Sequence, residues 1–354
     1  MLSKKANGAA ASPAPVAGKS VSLKTLAAAL GLSPATVSLV INRSPAARSI
    51  PERTRNRIFE EAKRLHYRPN FLARSLRSQR SFTVGVVVPE VSEGYTALVM
   101  SGIEDYLLQE GYFYFVASHR HRADLIEEYP KMFLERAVEG IIAVDTPRYG
   151  APPVPVVAVS GHEDCEGVTN IVLDHTCAAM MALQHLVDLG HREIAFIKGQ
   201  EFSSDTEPRW NAILEATERL GLPFSPARTA RLSGDCSSPA LGYEVTRQLL
   251  AAGEPFTALF AFNDVAAIGA IRALREAGCR VPEDVSVVGF DDIQSAGFQN
   301  PGLTTIRQPL RSMGELAART LLGRISRPKD SRYPKCITVK PELVVRESTA
   351  PVAG

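Results

Sequence analysis

The chain has 354 residues, 45% apolar and 22% charged, a balance that fits two or three globular folding units. No run of about 18 apolar residues occurs, which excludes a helical membrane span, and the start lacks the short apolar core of a secretory signal. The net charge of +2 hides an asymmetry: residues 19–80 hold 13 Lys plus Arg against 3 Asp plus Glu, whereas residues 81–354 carry a net −10. A compact basic head on an acidic body is the electrostatic footprint of a polyanion binder. The five cysteines (165, 177, 236, 279 and 336) form no Cys-x-x-Cys pair, so neither a zinc ribbon nor a disulfide framework is expected, and a reducing, cytoplasmic setting is.

Residues 1–19, rich in Ala, Gly, Ser and Pro, read as a flexible tail. Ser22 can cap a helix that places Leu23, Leu26, Ala27 and Leu30 on one face and stops at Gly31. Ser33 then caps a second helix, Pro34 to Ile41, with proline at the first position, where a missing N–H costs nothing. Two helices joined by about three residues with a glycine in the turn make a helix-turn-helix, whose second helix enters the major groove. Pro34, Ala35 and Leu39 are expected to face base edges, and Ser33, Thr36, Ser38 and Asn42 to reach the DNA from the same helix. Lys24, Arg43, Arg53 and Arg55 are candidates for phosphate contacts that fix orientation. A third helix from Pro51 to about His66 presents Thr54, Ile58, Ala62 and Leu65 inward. The DNA-binding domain is thus expected over 20–68.

Asn70 to Ser78 can form about two helical turns, too few to be stable alone. Leu32-Ser33-Pro34-Ala35-Thr36-Val37-Ser38, Tyr67-Arg68-Pro69-Asn70 and Ala73-Arg74-Ser75-Leu76 resemble the head and hinge of the lactose-repressor family. The resemblance implies a hinge over 69–80 whose helix, paired with that of a symmetry mate, lies in the minor groove. Asn70, Ala73, Arg74 and Arg77 then join the DNA contacts, and Leu76 is the apolar wedge that kinks the central step.

From Phe82 strands and helices alternate: a strand at Thr83–Val88, a helix at Leu98–Glu110, strands at Tyr112–Val116, Gly140–Val144 and Val154–Val159. The series restarts with helices at Ala178–Leu189, Arg209–Leu220 and Leu241–Ala251 and strands at Glu193–Ile197 and Ala258–Ala261. Such alternation gives parallel sheets with helices on both faces and ligand beyond the strand ends. The fold class is an all-α helix-turn-helix head on an α/β, two-lobed, periplasmic-binding-protein-like body of two doubly wound parallel sheets. The body spans 81–348, with lobe 1 at about 81–174 and 307–335 and lobe 2 at about 175–306 and 336–348.

Leu189 to Ala195, Asn263-Asp264, Val281 to Asp292 and Leu303 to Pro309 resemble the family's sensor, so the likeness covers about residues 20–348. It implies a polar cleft floor of Arg209, Asn263 and Asp291, with Ser160 where relatives often have aspartate. Tyr95, Phe262 and Trp210 are left to supply stacking, because Cys236 stands near the position of an aromatic in some sugar binders. The expected partners are a double-stranded DNA operator, a sugar-like effector and a second copy of the chain, without a cofactor. A transporter-feeding binding protein would need a signal peptide and no basic head. An enzyme would need a catalytic constellation that no motif supplies. Gly18-Lys19-Ser20 lacks the upstream glycine of a phosphate loop. His162-Glu163-Asp164-Cys165 reads as a loop without second-site partners for a metal, and His119 and His121 as solvated loop residues.

Overall fold

The computed structural model describes residues 21–42, 44–67, 80–92, 94–147, 153–234, 237–328 and 332–352. The hinge residues Asn70, Ala73, Arg74, Leu76 and Arg77, together with Arg43 and Cys236, lie outside them. The chain divides after Ser81 into a helical head and an α/β body.

In the head, α1 (Leu23–Leu30) and α2 (Pro34–Ile41) are bent by 109° at the turn. Each helix is capped by a serine: Thr25 N–H donates to Ser22 Oγ and Thr36 N–H to Ser33 Oγ, both at 3.1 Å. Gly31, at φ 64°, takes the left-handed conformation that lets Leu32 N–H reach back to the Ala27 carbonyl. A 3₁₀ turn (Pro45–Ser49) precedes α3 (Glu52–Arg64). Leu26, Ala27, Val37, Val40, Ala47, Ile58 and Ala62 form one buried cluster. The helix start at Pro51 is therefore a cap, and the 3₁₀ turn adds Ala47 to a core that helical spacing alone assigns to the three helices.

The body holds two six-stranded sheets. The first has the order β11-β5-β4-β3-β1-β2, with β1 (Thr83–Val88), β2 (Phe113–Ser118), β3 (Gly140–Val144), β4 (Val156–Val159), β5 (Val168–Leu173) and β11 (Cys336–Val339), all parallel. Its helices include α4 (Gly94–Gln109), α5 (Ala123–Glu135) and α11 (Leu310–Ser326). The second has the order β12-β10-β9-β8-β6-β7, with β6 (Ile194–Lys198), β7 (Thr229–Arg231), β8 (Ala258–Phe260), β9 (Ser286–Asp291), β10 (Thr304–Arg307) and β12 (Glu342–Val344). Its helices are α6 (His175–Asp188), α7 (Thr206–Arg219), α8 (Pro239–Ala251), α9 (Asp264–Glu276) and the short α10 (Gln294–Phe298). The central strands are buried on both faces, as the unbroken Val/Ile runs of β1, β3 and β4 require.

Three details correct the sequence reading. The second sheet is mixed, because β12 runs antiparallel to β10. β11 pairs with β5 and so belongs to lobe 1, not to lobe 2. The chain still crosses between lobes three times, after β5, after β10 and a third time, but that last crossing lies between β11 and β12 instead of before β11. The helices also start earlier than hydrophobic periodicity indicates, since the polar first turns of α6 and α7 carry residues that face the cleft.

Candidate functional site

On the head, Pro34 and Ala35 are exposed at the start of α2, as are Ser33, Lys24, Arg53 and Asn42. Ser33 and Thr36 share a hydroxyl contact of 2.9 Å, and Arg55 is half-buried. Ser38 departs from expectation: it is 4% exposed, and its Oγ accepts from Asn42 Nδ2 at 3.1 Å. The same amide donates to the Ser38 carbonyl at 2.8 Å, closing the C-terminus of α2. Ser38 is therefore packed inward rather than displayed on the surface of α2. Leu39 is partly buried against the head's core, so only part of it remains to meet a base.

In the body, Arg209 anchors the cleft from the first turn of α7. It is 3% exposed, and its Nη1 donates to the Phe262 carbonyl at 2.5 Å and its Nη2 to Asp205 Oδ2 at 3.1 Å. Its guanidinium carbon lies 3.7 Å from the centre of the Phe290 ring and 4.5 Å from that of Phe262. Its Nε has no hydrogen-bond partner among the described residues. Asp291 ends β9 in a left-handed backbone conformation, φ 111°, and accepts from Gln308 Nε2 at 2.7 Å. Burial raises its pKa to about 7 against the pull of Arg209 and Gln308. Gln308 Oε1 is a second buried atom without a partner there, and His175 Nδ1 is a third. Buried polar atoms of this sort are usually satisfied, so three at one cleft indicate groups that a ligand completes.

Asn263 caps α9, its Oδ1 accepting from Ala266 N–H at 2.9 Å, so its amide NH₂ is what it can offer a ligand. Behind it, the fully buried Asp264 ties the floor together. It accepts from Thr305 Oγ1 at 2.6 Å and from Ile293 N–H at 2.8 Å, and burial, with Asp291 adding repulsion, keeps its pKa well above the ordinary value.

Lobe 1 supplies the opposite wall. The Tyr95 hydroxyl lies 2.7 Å from Ser160 Oγ, and burial, with Asp205 and Asp145 nearby, raises the phenol well above its usual pKa. Contacts between five residue pairs then cross from this wall to the segment 202–205 that precedes α7. Asp145, after β3, accepts from Ser203 Oγ at 3.1 Å and from Ser204 N–H at 2.8 Å. The Ser204 hydroxyl sits against the Ser160 carbonyl. The His121 ring stacks on Phe202 with centroids 3.5 Å apart. Finally, His162 Nε2 donates to Asp205 Oδ1 at 2.7 Å, and His175 Nε2 approaches the same oxygen at 3.2 Å. Burial alone would raise the Asp205 carboxyl, but His175, His162 and Arg209 outweigh it and hold its pKa well below the ordinary value.

Sequence reasoning missed Asp145, Ser203, Ser204, Asp205, His175 and Gln308. It also left His162 without partners and His119 in solvent, and both change here. His119 is fully buried, its Nδ1 accepting from His121 N–H at 3.0 Å while its Nε2 lies 3.1 Å from Thr146 Oγ1. Because the Thr146 hydroxyl donates to the Val144 carbonyl at 2.7 Å, its oxygen accepts from His119, which is the neutral Nε2–H tautomer. Burial accordingly lowers its pKa to about 4. Trp210 also moves out of the site: partly buried, it packs edge-on to Phe196 and Phe224, at 6.0 and 6.1 Å, against the hydrophobic core of lobe 2.

Comparison with known proteins places this geometry. A model of the periplasmic binding protein-like domain matches residues 183–349. The HTH-type transcriptional repressor PurR of Glaesserella parasuis serovar 5 is 31% identical over 338 residues, covering 92% of this chain and 97% of that protein. This chain belongs to the LacI family of transcriptional regulators. A Lac repressor dimer bound to operator and the anti-inducer ONPF aligns at TM-score 0.81 and 26% identity, covering 94% of this chain and all of that one. The transcriptional regulator CelR in complex with cellobiose aligns at TM-score 0.67 and 28% identity, covering 92% and 99%. The relatives named here are transcriptional regulators. Among the described residues, no single helix is long and apolar enough to cross a membrane.

Proposed function

We propose that this LacI-family chain is a repressor that binds a pseudo-palindromic operator as a homodimer and is switched by a sugar-like effector in the interlobe cleft. The observation that carries the effector reading is the trio of unpartnered buried atoms, Arg209 Nε, Gln308 Oε1 and His175 Nδ1, at one cleft. Arg209, the Asn263 amide, Asp291, Ser160 and the Tyr95 hydroxyl offer donors and acceptors suited to hydroxyl groups, and Phe262 offers an aromatic edge. The cellobiose complex of CelR and a ribose-bound LacI-family regulator of Enterococcus faecium support a sugar as the ligand class.

In the head, Lys24, Ser33, Pro34, Ala35, Thr36, Leu39, Asn42, Arg43 and Arg55 are the proposed contacts, joined by Asn70, Ala73, Arg74, Leu76 and Arg77 of the hinge. With Ser38 turned inward, base reading falls to an α2 surface of Pro34, Ala35 and part of Leu39, which can offer only apolar contacts. Much of the specificity then rests on the hinge and on DNA shape. The edge strand β2 supports a dimer, since Phe113 is 59% exposed and Val116 40%, apolar side chains on its two faces that a second copy could cover. Effector binding alters lobe closure and thereby the ease of forming the paired hinge helices, through its different affinity for the two states.

The test is operator selection from random duplexes followed by gel-shift titration. Leu76→Ala is expected to weaken binding and reduce bending at the selected site; unchanged affinity and bending would refute the hinge role. Phe113→Asp should shift the sedimenting species from dimer to monomer, and an intact dimer would refute the interface.

A further inference from the structure

His162, His175 and Asp205 come from three segments: the loop after β4 in lobe 1, the first residue of α6, and the residue capping α7 in lobe 2. Their ligand-type atoms, two imidazole nitrogens and one carboxylate oxygen, all lie within 4.8 Å of one another. We propose that this trio is a binding site for a divalent transition-metal ion, zinc in character, which ties the two lobes together. The proposal does not depend on a sugar effector.

The donor set fits such an ion. Two imidazoles and one carboxylate with an open position is a familiar zinc environment, and zinc bonds of about 2.1 Å put the ligand atoms of a tetrahedron about 3.4 Å apart. The His175 and His162 nitrogens stand 3.2 and 2.7 Å from Asp205 Oδ1, so a small outward rotation makes room. The His162 side chain is 23% exposed and free enough for that movement. Asp205 is already oriented, because Arg209 holds its other oxygen at 3.1 Å and leaves Oδ1 as a single ligand atom. Coordination needs the lone pair of each Nε2, so the proton each now carries moves to Nδ1.

Two further observations favour a cation here. A cavity of about 180 Å³ lined by Thr146, Gly161, His162, Asn170 and Ser204 adjoins the trio, enough for an entering ion and a water in the fourth position. The cleft also gathers three carboxylates, Asp145, Asp205 and Asp291, with the guanidinium of Arg209 beside Asp205. Carboxylates gathered in this way repel one another. A divalent ion relieves that repulsion.

The experiment is titration of the purified full chain, free of any polyhistidine tag, with Zn²⁺ by calorimetry and with Co²⁺ by visible absorption. Saturation at one ion per chain is expected, with tetrahedral Co²⁺ bands and a rise in melting temperature on adding Zn²⁺. His162→Ala, on the part-exposed side of the trio, and His175→Gln should each weaken binding by about tenfold or more. Cys165→Ala, which removes a nearby thiol outside the trio, should leave it unchanged. Absence of saturable binding overturns the proposal, as does binding undiminished in the His162→Ala/His175→Gln double variant. Loss of binding in Cys165→Ala alone would overturn the assigned ligand set.

Discussion

The two lobes repeat one topology but are built to different degrees of readiness. Strand order β5-β4-β3-β1-β2 in lobe 1 matches β10-β9-β8-β6-β7 in lobe 2, each with one added strand from the C-terminal segment. In lobe 2 the charged groups are fixed by lobe 2 itself: Arg209 by Phe262 and Asp205, Asp264 by Thr305 and Ile293. In lobe 1 the corresponding groups reach outward, since Asp145 is bonded by Ser203 and Ser204, and His162 by Asp205. One lobe therefore carries a preorganised floor, and the other finds its partners on closing. Ligand recognition should depend on lobe 2, and the open-closed balance on what crosses from lobe 1.

The strongest way to break that contrast is to remove the cation of the floor. Arg209→Met removes the guanidinium from buried Asp205 and the positive charge near buried Asp291, and should destabilise the body by roughly 3–5 kcal/mol in urea unfolding. A loss under about 1 kcal/mol would mean that the floor is not held by Arg209.

A second contrast is the response to pH, where the lobes should pull in opposite directions. His119 in lobe 1 has a folded pKa of about 4, below its ordinary 6.5. Its stabilising contribution is complete above pH 6.5 and is lost as pH falls towards 4, because the unfolded chain takes up a proton that the buried ring refuses. Asp291 in lobe 2 is raised from 3.8 to about 7, so its contribution is complete below pH 3.8 and is lost as pH rises through 7. Asp291→Asn should accordingly stabilise the body above pH 7 by roughly 1–2 kcal/mol and lose that advantage in acid. His119→Gln should reduce proton uptake on unfolding near pH 5 by about one. Parallel pH profiles for wild type and either variant would remove the corresponding assignment.

The smallest effect belongs to the crossing contacts. Ser204→Ala keeps the N–H bond to Asp145 but loses the hydroxyl, which lies 2.6 Å from the carboxylate. About 1 kcal/mol of closure should go with it, seen as a larger radius of gyration in solution scattering. No change in scattering would place the closing contacts elsewhere.

How much of this was legible in the sequence follows from where the partners lie along the chain. The head was readable almost residue by residue, because its caps, turn glycine and core repeat within eight-residue helices. Ser38, expected to reach DNA, is buried with its Oγ bonded by Asn42 four residues on, which helical periodicity does not show. Arg209, Asn263 and Asp291 were nominated through resemblance, each next to a recognisable strand or helix end. His175 and His162 were not linked to Asp205, since 30 and 43 residues separate them and only the closed lobes bring them together. Asp205 itself carried a signal that was overlooked, an acid four residues before Arg209 on the same helix start. The third crossover was expected just before β11 instead of just after it, because β11 and β12 are only four and three residues long, too short to show a period.

The central claim is that a small effector is read by the floor of lobe 2. Its most direct test is a thermal-shift screen of the full chain and of Asp291→Ala against sugars, sugar acids, sugar phosphates and nucleobases. The account predicts a compound, a neutral sugar foremost, that raises the melting temperature of the wild type and has no effect on Asp291→Ala. A compound that stabilises both proteins equally would contradict it.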